Sequence, residues 1–483
     1  MKIQSKLSSD LKISRIITGL WQMADIEREE DIDPKAYAEK IIPYVEAGLT
    51  TFDMADHYGS SELIVGEYNI NNSTSDVQLL TKWVPKPGKV DKQSVSDAVQ
   101  LALDRMKQTS IDLMQYHAWH YPDPSWLDAL FYLTELKQEG LIKNIGVTNF
   151  DAAHLRVACA SGIPIVSNQI SHSLIDQRAN SSKIIDVCNE YGIKLLAYGV
   201  VMGGFLTNKW LNKNEPKPEN LKTWSEMKYK RFIDESGGWD AYQNLLNVLN
   251  QIAQNNDVSI ANICSRYILE NPLVAGIIIG ARLGENNHIK DNLNILKTKI
   301  SKEEINLIRD AQKELNPIPG DCGDEYRKPP YLTASGDLSH HFQEIPKIYD
   351  SNILVEGREH VSSNTKWEEL ASYSRAVKYK DRIVVSGTTA TYGDLTIGGD
   401  DASAQTYFII DKIEAAINSL GGSLKDVIRT RIFIKNLSDW ELVAKAHGER
   451  FKDIMPANTL VQARLIGEDY LVEIEAEAVI IKR

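Results

Sequence analysis

The chain has 483 residues and a formal net charge of -12 at pH 7. Its length exceeds what one hydrophobic core ordinarily serves and predicts at least two domains, while 43% hydrophobic and 25% charged residues exclude a disordered or collagen-like protein. The negative charge argues against nucleic acid as a partner, because phosphate backbones are bound by lysine and arginine. No apolar stretch is long enough to cross a bilayer, so we expect no membrane association.

The N-terminus and the cysteines both indicate a cytoplasmic protein. The first nine residues are polar and lack the cationic end, apolar block and small-residue cleavage site of a signal peptide. The four cysteines, at positions 159, 188, 264 and 322, lie far apart and form no CxxC pair. This spacing favours reduced thiols and predicts no bound metal.

Short β-rich apolar runs alternate with amphipathic helical patterns through the first 280 residues or so. Such alternation predicts a parallel sheet whose strands are joined by crossover helices. The runs occupy residues 13–20, 50–54, 77–81, 111–116, 143–147, 165–169, 194–198 and 274–279. Eight strand–helix units are the number that closes a (β/α)8 TIM barrel.

The connections carry their own signals. Asp33-Pro34 predicts the start of the first crossover helix, which Gly48 should end, and residues 128–139 predict a helix that ends at Gly140. Residues 208–239 form a connection after the seventh strand that is too long for a routine loop. This segment predicts a functional lid or clasp.

A lapse in periodicity over residues 317–350 predicts a linker between two domains. We therefore divide the chain into a barrel domain (1–316), a linker (317–350) and a second domain (351–483). In the second domain, residues 381–387, 426–434 and 471–481 read as strands, and residues 404–420 and 440–452 read as helices. This pattern predicts a small α+β unit.

Four polar side chains fall where predicted barrel strands end. They are Asp53, Tyr58, Lys82 and His117. The carboxyl ends of the strands form the face on which TIM-barrel active sites are built. Their position therefore predicts a shared catalytic site.

These four residues, together with residues 146–150, 168–169, 197–198 and 280–282, resemble the aldo-keto reductase signature from about residue 11 to about residue 320. The resemblance implies NAD(P)H-dependent reduction of an aldehyde, ketone or sugar carbonyl, or the reverse oxidation of an alcohol. Tyr58 would donate the proton, and Lys82, positioned by Asp53, would favour the phenolate. His117 would orient the substrate carbonyl.

The resemblance also implies the cofactor residues. Tyr198 would stack on the nicotinamide, and the carboxamide would contact Thr148, Asn149 and Gln169. Gly199 stands where the family usually has serine. The turn that follows would offer backbone amides to the pyrophosphate; its residues are Gly203, Gly204, Phe205 and Leu206.

The adenosine end of the cofactor would lie on Gly280, Ala281 and Arg282. Arg282 is the nearest cation for a 2′-phosphate, which favours NADPH as the cofactor. Asn286 and Asn287 stand where the family often has another basic residue. NADH therefore stays open as the alternative.

The C-terminal part, at residues 373–377, 385–389, 420–427, 455–457 and 472–476, resembles the Rid family. The resemblance implies a chorismate mutase-like α+β fold, a homotrimer with clefts between subunits and, in active members, hydrolysis of imines. Asn458 replaces the arginine that binds the imino-acid carboxylate. Arg431 and Arg464 are alternative cations, although an ion-pair or surface role is favoured for both.

Three hypotheses about function follow. The first is a reductase whose Rid domain serves assembly or ligand binding. The second is a non-catalytic sensor of nicotinamide nucleotides, and the third is a bifunctional reductase and imine deaminase. The substrate stays open, because loops such as residues 208–239 shape the pocket.

Overall fold

The computed structural model describes residues 1–27, 29–72, 76–284, 288–327 and 345–481. Two antiparallel strands come first, β1 (Gln4–Lys6) and β2 (Lys12–Ser14). Leu7 and Leu11, in and beside their connection, are buried against Ile17 and Leu80 of the barrel interior. The hairpin therefore closes the amino-terminal end of the barrel and leaves the opposite end for a site.

Eight parallel strands form a closed barrel, as predicted. They are β3 (Ile16–Gly19), β4 (Thr51–Asp53), β5 (Gln78–Trp83), β6 (Leu113–His117), β7 (Ile145–Thr148), β8 (Ile165–Ser171), β9 (Lys194–Tyr198) and β10 (Val274–Gly280). Each strand pairs with the next along the chain, and β10 pairs with β3 to close the ring. Every one of the eight predicted runs contributes a barrel strand.

The helices of the barrel domain lie between and after these strands. They are α1 (Gln22–Ile26), α2 (Pro34–Glu39), α3 (Ile42–Glu46), α4 (Ser61–Asn71), α5 (Lys92–Met106), α6 (Ser125–Gln138), α7 (Ala152–Ala160), α8 (Ser182–Tyr191), α9 (Trp224–Glu235), α10 (Gly238–Asn255), α11 (Ile260–Leu269), α12 (Ile289–Lys297), α13 (Lys302–Lys313) and α14 (Asp324–Arg327). The first crossover was predicted as one helix but is two, α2 and α3. Pro43 has no N–H to donate to the carbonyl of Glu39, so a continuous helix cannot form there.

The C-terminal domain is built on one mixed sheet. Its elements are β11 (Ser351–Val355), β12 (Arg358–Val361), α15 (Lys366–Ala371), β13 (Ala376–Tyr379), β14 (Arg382–Thr389), β15 (Thr391–Tyr392), β16 (Leu395–Thr396), α16 (Ala402–Ser419), β17 (Val427–Ile434), α17 (Trp440–Phe451), β18 (Ala457–Gln462) and β19 (Val472–Val479). The sheet order is β11-β12-β13-β14-β19-β17-β18, with β17 and β18 parallel. The five predicted elements are all present, whereas the remaining elements were not predicted: β11, β12, α15, β13, β15, β16 and β18.

One face of this sheet is covered and the other is open. Helix α16 packs against β14, β19 and α17. Along β14 and β19 the side chains alternate between buried and more exposed positions, so the second face lacks a covering layer in the single chain. On the covered side, α16 also packs against α7 of the barrel.

The first residues of the predicted linker pack against the barrel. Ile318 and Cys322 are buried, and α14 packs over the carboxyl-end mouth of the barrel. The 317–350 boundary therefore places residues that belong to the barrel's packing in the linker. Among the described residues, no helix is both long and apolar enough to cross a membrane.

Candidate active site

A cavity of about 870 Å³ opens at the carboxyl ends of the barrel strands, and Asp53, Tyr58, Lys82 and His117 all line it. Asp53 ends β4, Lys82 lies near the end of β5 and His117 ends β6. Tyr58 follows β4 in a loop that leads into α4. The structure therefore brings the four predicted residues to one site.

Lys82 and Asp53 form a buried ion pair. The Lys82 ammonium donates to both carboxylate oxygens of Asp53 at 2.7 Å and to the carbonyl of Met54 at 2.9 Å. Burial lowers the pKa of Lys82, against the opposing charge of Asp53. The ammonium lies 4.7 Å from the centre of the Tyr58 ring, so a cation beside this phenol is fixed in place.

His117 is a buried, neutral imidazole. Burial lowers the pKa of His117 to about 3. Its Nδ1 lies 3.3 Å from the carbonyl of Thr148, which can only accept, so Nδ1 carries the proton. In the neutral ring Nε2 is then an acceptor, and this buried atom has no hydrogen-bond partner within the described chain. An acceptor at this position suits a hydroxyl group better than a carbonyl oxygen.

The predicted nicotinamide residues are joined by hydrogen bonds. The Tyr198 hydroxyl donates to Asn149 Oδ1 at 2.7 Å, and Thr148 Oγ1 donates to the carbonyl of Gln169 at 3.1 Å. The side-chain amide of Gln169 donates to Asp53 at 2.7 Å, which connects this group to the Lys82–Asp53 ion pair. Asn149 has a left-handed backbone, with φ 61°.

The turn after β9 differs from the prediction. The amides of Gly204 and Leu206 donate to the carbonyl of Val201, and the amide of Phe205 donates to that of Met202. The side chains of Phe205 and Leu206 are buried in a core on the far side of the turn. Of the four predicted residues only Gly203 and Gly204 line the cavity, so the turn does not present a row of open amides to a pyrophosphate.

A second hydroxyl occupies the place of the missing serine. A β-carbon on Gly199 would lie 2.2 Å from the Tyr229 hydroxyl oxygen, and Gly199 has φ +73°. Tyr229 comes from α9, within the predicted lid segment, and lines the same cavity. The glycine therefore makes room for a phenol that brings a hydroxyl back to this wall.

The residues predicted for the adenosine end line the cavity only in part. Gly280 and Arg282 line it, whereas Ala281 is buried and its amide donates to the carbonyl of Gly19. Asn286 and Asn287, on which the NADH alternative rested, lie outside the described residues. Two lysines from the predicted lid segment, Lys209 and Lys222, also line the cavity, and Lys209 pairs there with Glu226 at 3.2 Å.

Tyr326 is a pocket residue that the sequence placed in the linker. Its ring lies 5.6 Å from that of His117, and its hydroxyl lies 2.5 Å from the Lys228 ammonium. Its neighbour Glu325 pairs with Arg178 at 2.7 Å. Burial would raise the pKa of Glu325, but the charges of Arg178 and Lys228 lower it to about 2. No sequence motif marks this wall, because it depends on contacts with distant strands.

In the C-terminal domain, Asn458 is bound within its own fold. Its amide donates to the Thr430 hydroxyl at 2.9 Å, and His447 contacts the same hydroxyl. Arg431, one alternative cation, pairs with Glu475 at 2.7 Å. The favoured ion-pair role of Arg431 is therefore confirmed.

Comparisons with known proteins match both parts of the chain. The model of the aldo/keto reductase family matches residues 15–313, and that of the endoribonuclease L-PSP family, which includes Rid proteins, matches residues 364–480. The NADH-specific methylglyoxal reductase of Escherichia coli is 24% identical over 338 residues, covering 64% of this chain and 97% of that protein. The uncharacterized protein SCO2049 of Streptomyces coelicolor is 37% identical over 119 residues, covering 24% of this chain and 89% of that protein.

A solved structure shares the barrel fold. The glycerol dehydrogenase AKR11B4 from Gluconobacter oxydans superposes with a TM-score of 0.54 at 20% identity, covering 66% of this chain and 98% of that one. This likeness concerns the fold alone. It agrees with the closed eight-stranded barrel described above.

Proposed function

Because the chain belongs to the aldo/keto reductase family, we propose that it reduces the carbonyl of a small aldehyde, ketone or sugar, or oxidises the matching alcohol, with NADPH as the preferred nucleotide. One observation carries the proposal: the Lys82 ammonium is bound to Asp53 and lies 4.7 Å from the Tyr58 ring. This arrangement prepares a phenol for proton transfer.

The proposed reaction balances around Tyr58. A bound nicotinamide nucleotide would supply the hydride that reaches the carbonyl carbon. The Tyr58 hydroxyl gives its proton to the carbonyl oxygen, and the phenolate that remains is stabilised by Lys82 until solvent returns a proton. Asp53 holds the ammonium in place.

His117 takes a role that depends on its tautomer. With Nδ1 bound to Thr148, Nε2 can accept a hydrogen bond from the hydroxyl of the bound alcohol before that proton passes to the Tyr58 phenolate in oxidation. In the reduction direction, a hydrogen bond to the carbonyl requires the proton on Nε2 and loss of the Thr148 contact. The residue therefore contacts the reacting oxygen in both directions through the same atom.

The described residues fit a nicotinamide nucleotide. The Tyr198 ring offers a stacking surface at the end of β9, and a side chain at Gly204 would meet nothing within 4 Å, so the wall is open there. The Tyr229 hydroxyl takes the place of the family serine. Arg282 and Lys222 supply positive charge for phosphate groups.

NADPH is preferred over NADH in this proposal because Arg282 can recognise a 2′-phosphate through its guanidinium. The name of the Escherichia coli relative states NADH specificity for that protein. NADH is therefore the alternative for this chain. The two nucleotides differ in the single group that Arg282 would contact.

For the C-terminal domain, we propose an assembly role in a homotrimer. The barrel lies on the α16 side of the domain, which leaves the other face of the sheet open for copies of the chain. Asn458 lacks the charge of a carboxylate-binding arginine and is bound to Thr430. Imine hydrolysis by this domain is the alternative.

Oxidation of NADPH and of NADH by the purified full-length protein, across aldehydes, ketones and sugars, tests the proposal. We expect turnover of at least one carbonyl class, faster with NADPH. Binding of nucleotide with no turnover of any substrate in either direction would favour the sensor hypothesis instead.

A further inference from the structure

The interface between the two domains contains a buried histidine bound by carboxylates from both. His154, on α7 of the barrel, has Nδ1 2.7 Å from Asp151 and Nε2 3.0 Å from Asp411 on α16. All three side chains are at most 12% exposed. Since a carboxylate oxygen faces each ring nitrogen, both nitrogens donate and the ring is an imidazolium.

Asp411 is held on its own side as well. Arg450, on α17, donates to the other oxygen of Asp411 and also pairs with Glu414 at 2.7 Å. The carboxylate therefore has a set position before it meets the barrel. The free-energy cost of burying the Asp411 carboxylate is offset only while His154 and Arg450 both stay bound to it.

His154 connects Asp411 to the barrel interior through a stack of planar side-chain groups. The His154 ring lies 3.4 Å from the Tyr121 ring and is tilted by only 5°. The Arg327 guanidinium lies over the same Tyr121 ring, 4.5 Å from its centre. Tyr121 and Arg327 are both buried, so the stack is shielded from water.

Arg327 joins the stack to the active site. Its guanidinium donates to the carbonyls of Asn149 and Cys322, each at 2.7 Å. Asn149 is the residue that accepts from Tyr198, and Tyr326, next to Arg327 in sequence, lines the pocket. The packing is close, because a β-carbon on Gly323 would lie 2.1 Å from the Asn149 carbonyl.

From this continuous set of contacts we propose that Asp411 of the C-terminal domain is a positioning residue of the reductase. It holds His154, Tyr121 and Arg327, and through them the Asn149 backbone and the pocket wall that carries Tyr326. The C-terminal domain then completes the reductase site in addition to assembling the chain. The inference rests on the proposed reductase activity for its kinetic consequence.

The test compares two full-length variants at the interface between the domains; in Asp411→Asn an NH2 group replaces one acceptor oxygen, so either His154 or Arg450 loses its hydrogen bond. Asp411→Asn neutralises the carboxylate with almost no change in volume. Tyr392→Phe is the matched control, because the Tyr392 hydroxyl bonds Asp128 at 2.5 Å across the same interface but contacts no member of the stack. Hydrogen exchange at residues 321–327 and nucleotide binding, read from tryptophan fluorescence, are measured with kcat and KM.

We expect Asp411→Asn to speed exchange at residues 321–327, weaken nucleotide binding and lower kcat/KM by about tenfold to a hundredfold, the size of effect that slight misplacement produces. For Tyr392→Phe we expect kcat/KM within about twofold of wild type, because a single polar contact of this kind contributes little. Arg327→Lys, which keeps the charge but loses the grip on two carbonyls, should give the same pattern. The double variant Asp411→Asn/Arg327→Lys should lose less than the product of the single losses.

Unchanged exchange and binding in Asp411→Asn, or losses that multiply in the double variant, would overturn the inference. If Asp411→Asn does not fold, Arg327→Lys alone decides, since normal exchange in it removes the proposed path. A wild-type protein that shows no turnover would instead refute the proposed activity. The exchange measurement would still report on the path from Asp411 in that case.

Discussion

The Lys82 ammonium lies 2.7 Å from both oxygens of Asp53, and both side chains are at most 4% exposed. A buried cation so tightly held has little freedom to leave the Tyr58 ring beside it. The ammonium therefore acts as a fixed positive charge whose effect on the phenol does not depend on rearrangement.

Tyr58→Phe removes the proposed proton donor and leaves the cofactor residues untouched. We expect kcat for carbonyl reduction to fall by about a hundredfold or more, with little change in nucleotide affinity. Steady-state kinetics and fluorescence titration with NADPH check the two parts. Turnover within a few-fold of wild type would refute the role of Tyr58.

Lys82→Met should reduce turnover and also destabilise the fold. The variant leaves the Asp53 carboxylate buried without its cation, at a cost of about 3–5 kcal/mol. Adding Asp53→Asn should recover much of the free energy of unfolding but none of the activity. Chemical denaturation and kcat separate these effects, and an active double variant would contradict the electrostatic role of Lys82.

His117 predicts a pH dependence of stability. In the unfolded chain this residue takes up a proton near pH 6.5, whereas in the folded chain its pKa is about 3. Its contribution to stability is therefore present above pH 6.5 and is lost as pH falls toward 3, by at most about 1.4 kcal/mol per pH unit. His117→Gln should make the fall in unfolding free energy below pH 6.5 shallower. An equal slope in both proteins would show that the pKa of His117 is the same in the folded and the unfolded chain.

Arg282→Ala should weaken NADPH binding by about tenfold to a hundredfold, since a charge-assisted hydrogen bond is lost. NADH, which lacks the 2′-phosphate, should bind almost as before. Arg309→Ala, an exposed position on α13 outside the cavity, is the control. Equal weakening of the two nucleotides would place the phosphate site elsewhere.

The full-length protein should scatter light as a particle of about three times 54.3 kDa. Val384 is 42% exposed on the open face of the C-terminal sheet, so Val384→Lys should dissociate the trimer. Leu370→Lys, at an exposed position on α15, should leave it intact. A monomeric wild type would refute the assembly role, and rapid hydrolysis of 2-iminopropanoate would show that Asn458 does not silence the domain.

Much of the architecture could be predicted from local pattern. The eight apolar runs and the helical stripes between them each lie within one unit of the barrel, so their periodicity is legible without tertiary information. Asp53, Lys82 and His117 follow from the same reasoning, because the ends of parallel strands must meet on one face. Their order along the chain carried the resemblance to the family.

The remainder depended on contacts between distant parts of the chain. The amides of residues 204–206 donate to carbonyls of the same turn, and Tyr229 occupies the space beside Gly199; neither follows from residue types alone. Tyr326 lay in an apparent linker because its segment has no periodicity. His154 and Asp411 are 257 positions apart, and each alone reads as an ordinary polar residue on a helix. The sequence by itself determined the barrel and its strand-end residues, because these depend on local hydrophobic periodicity. Only the tertiary structure decided the pocket wall and the contact between the domains, because both depend on buried charged groups that lie far apart in the chain and share no local pattern.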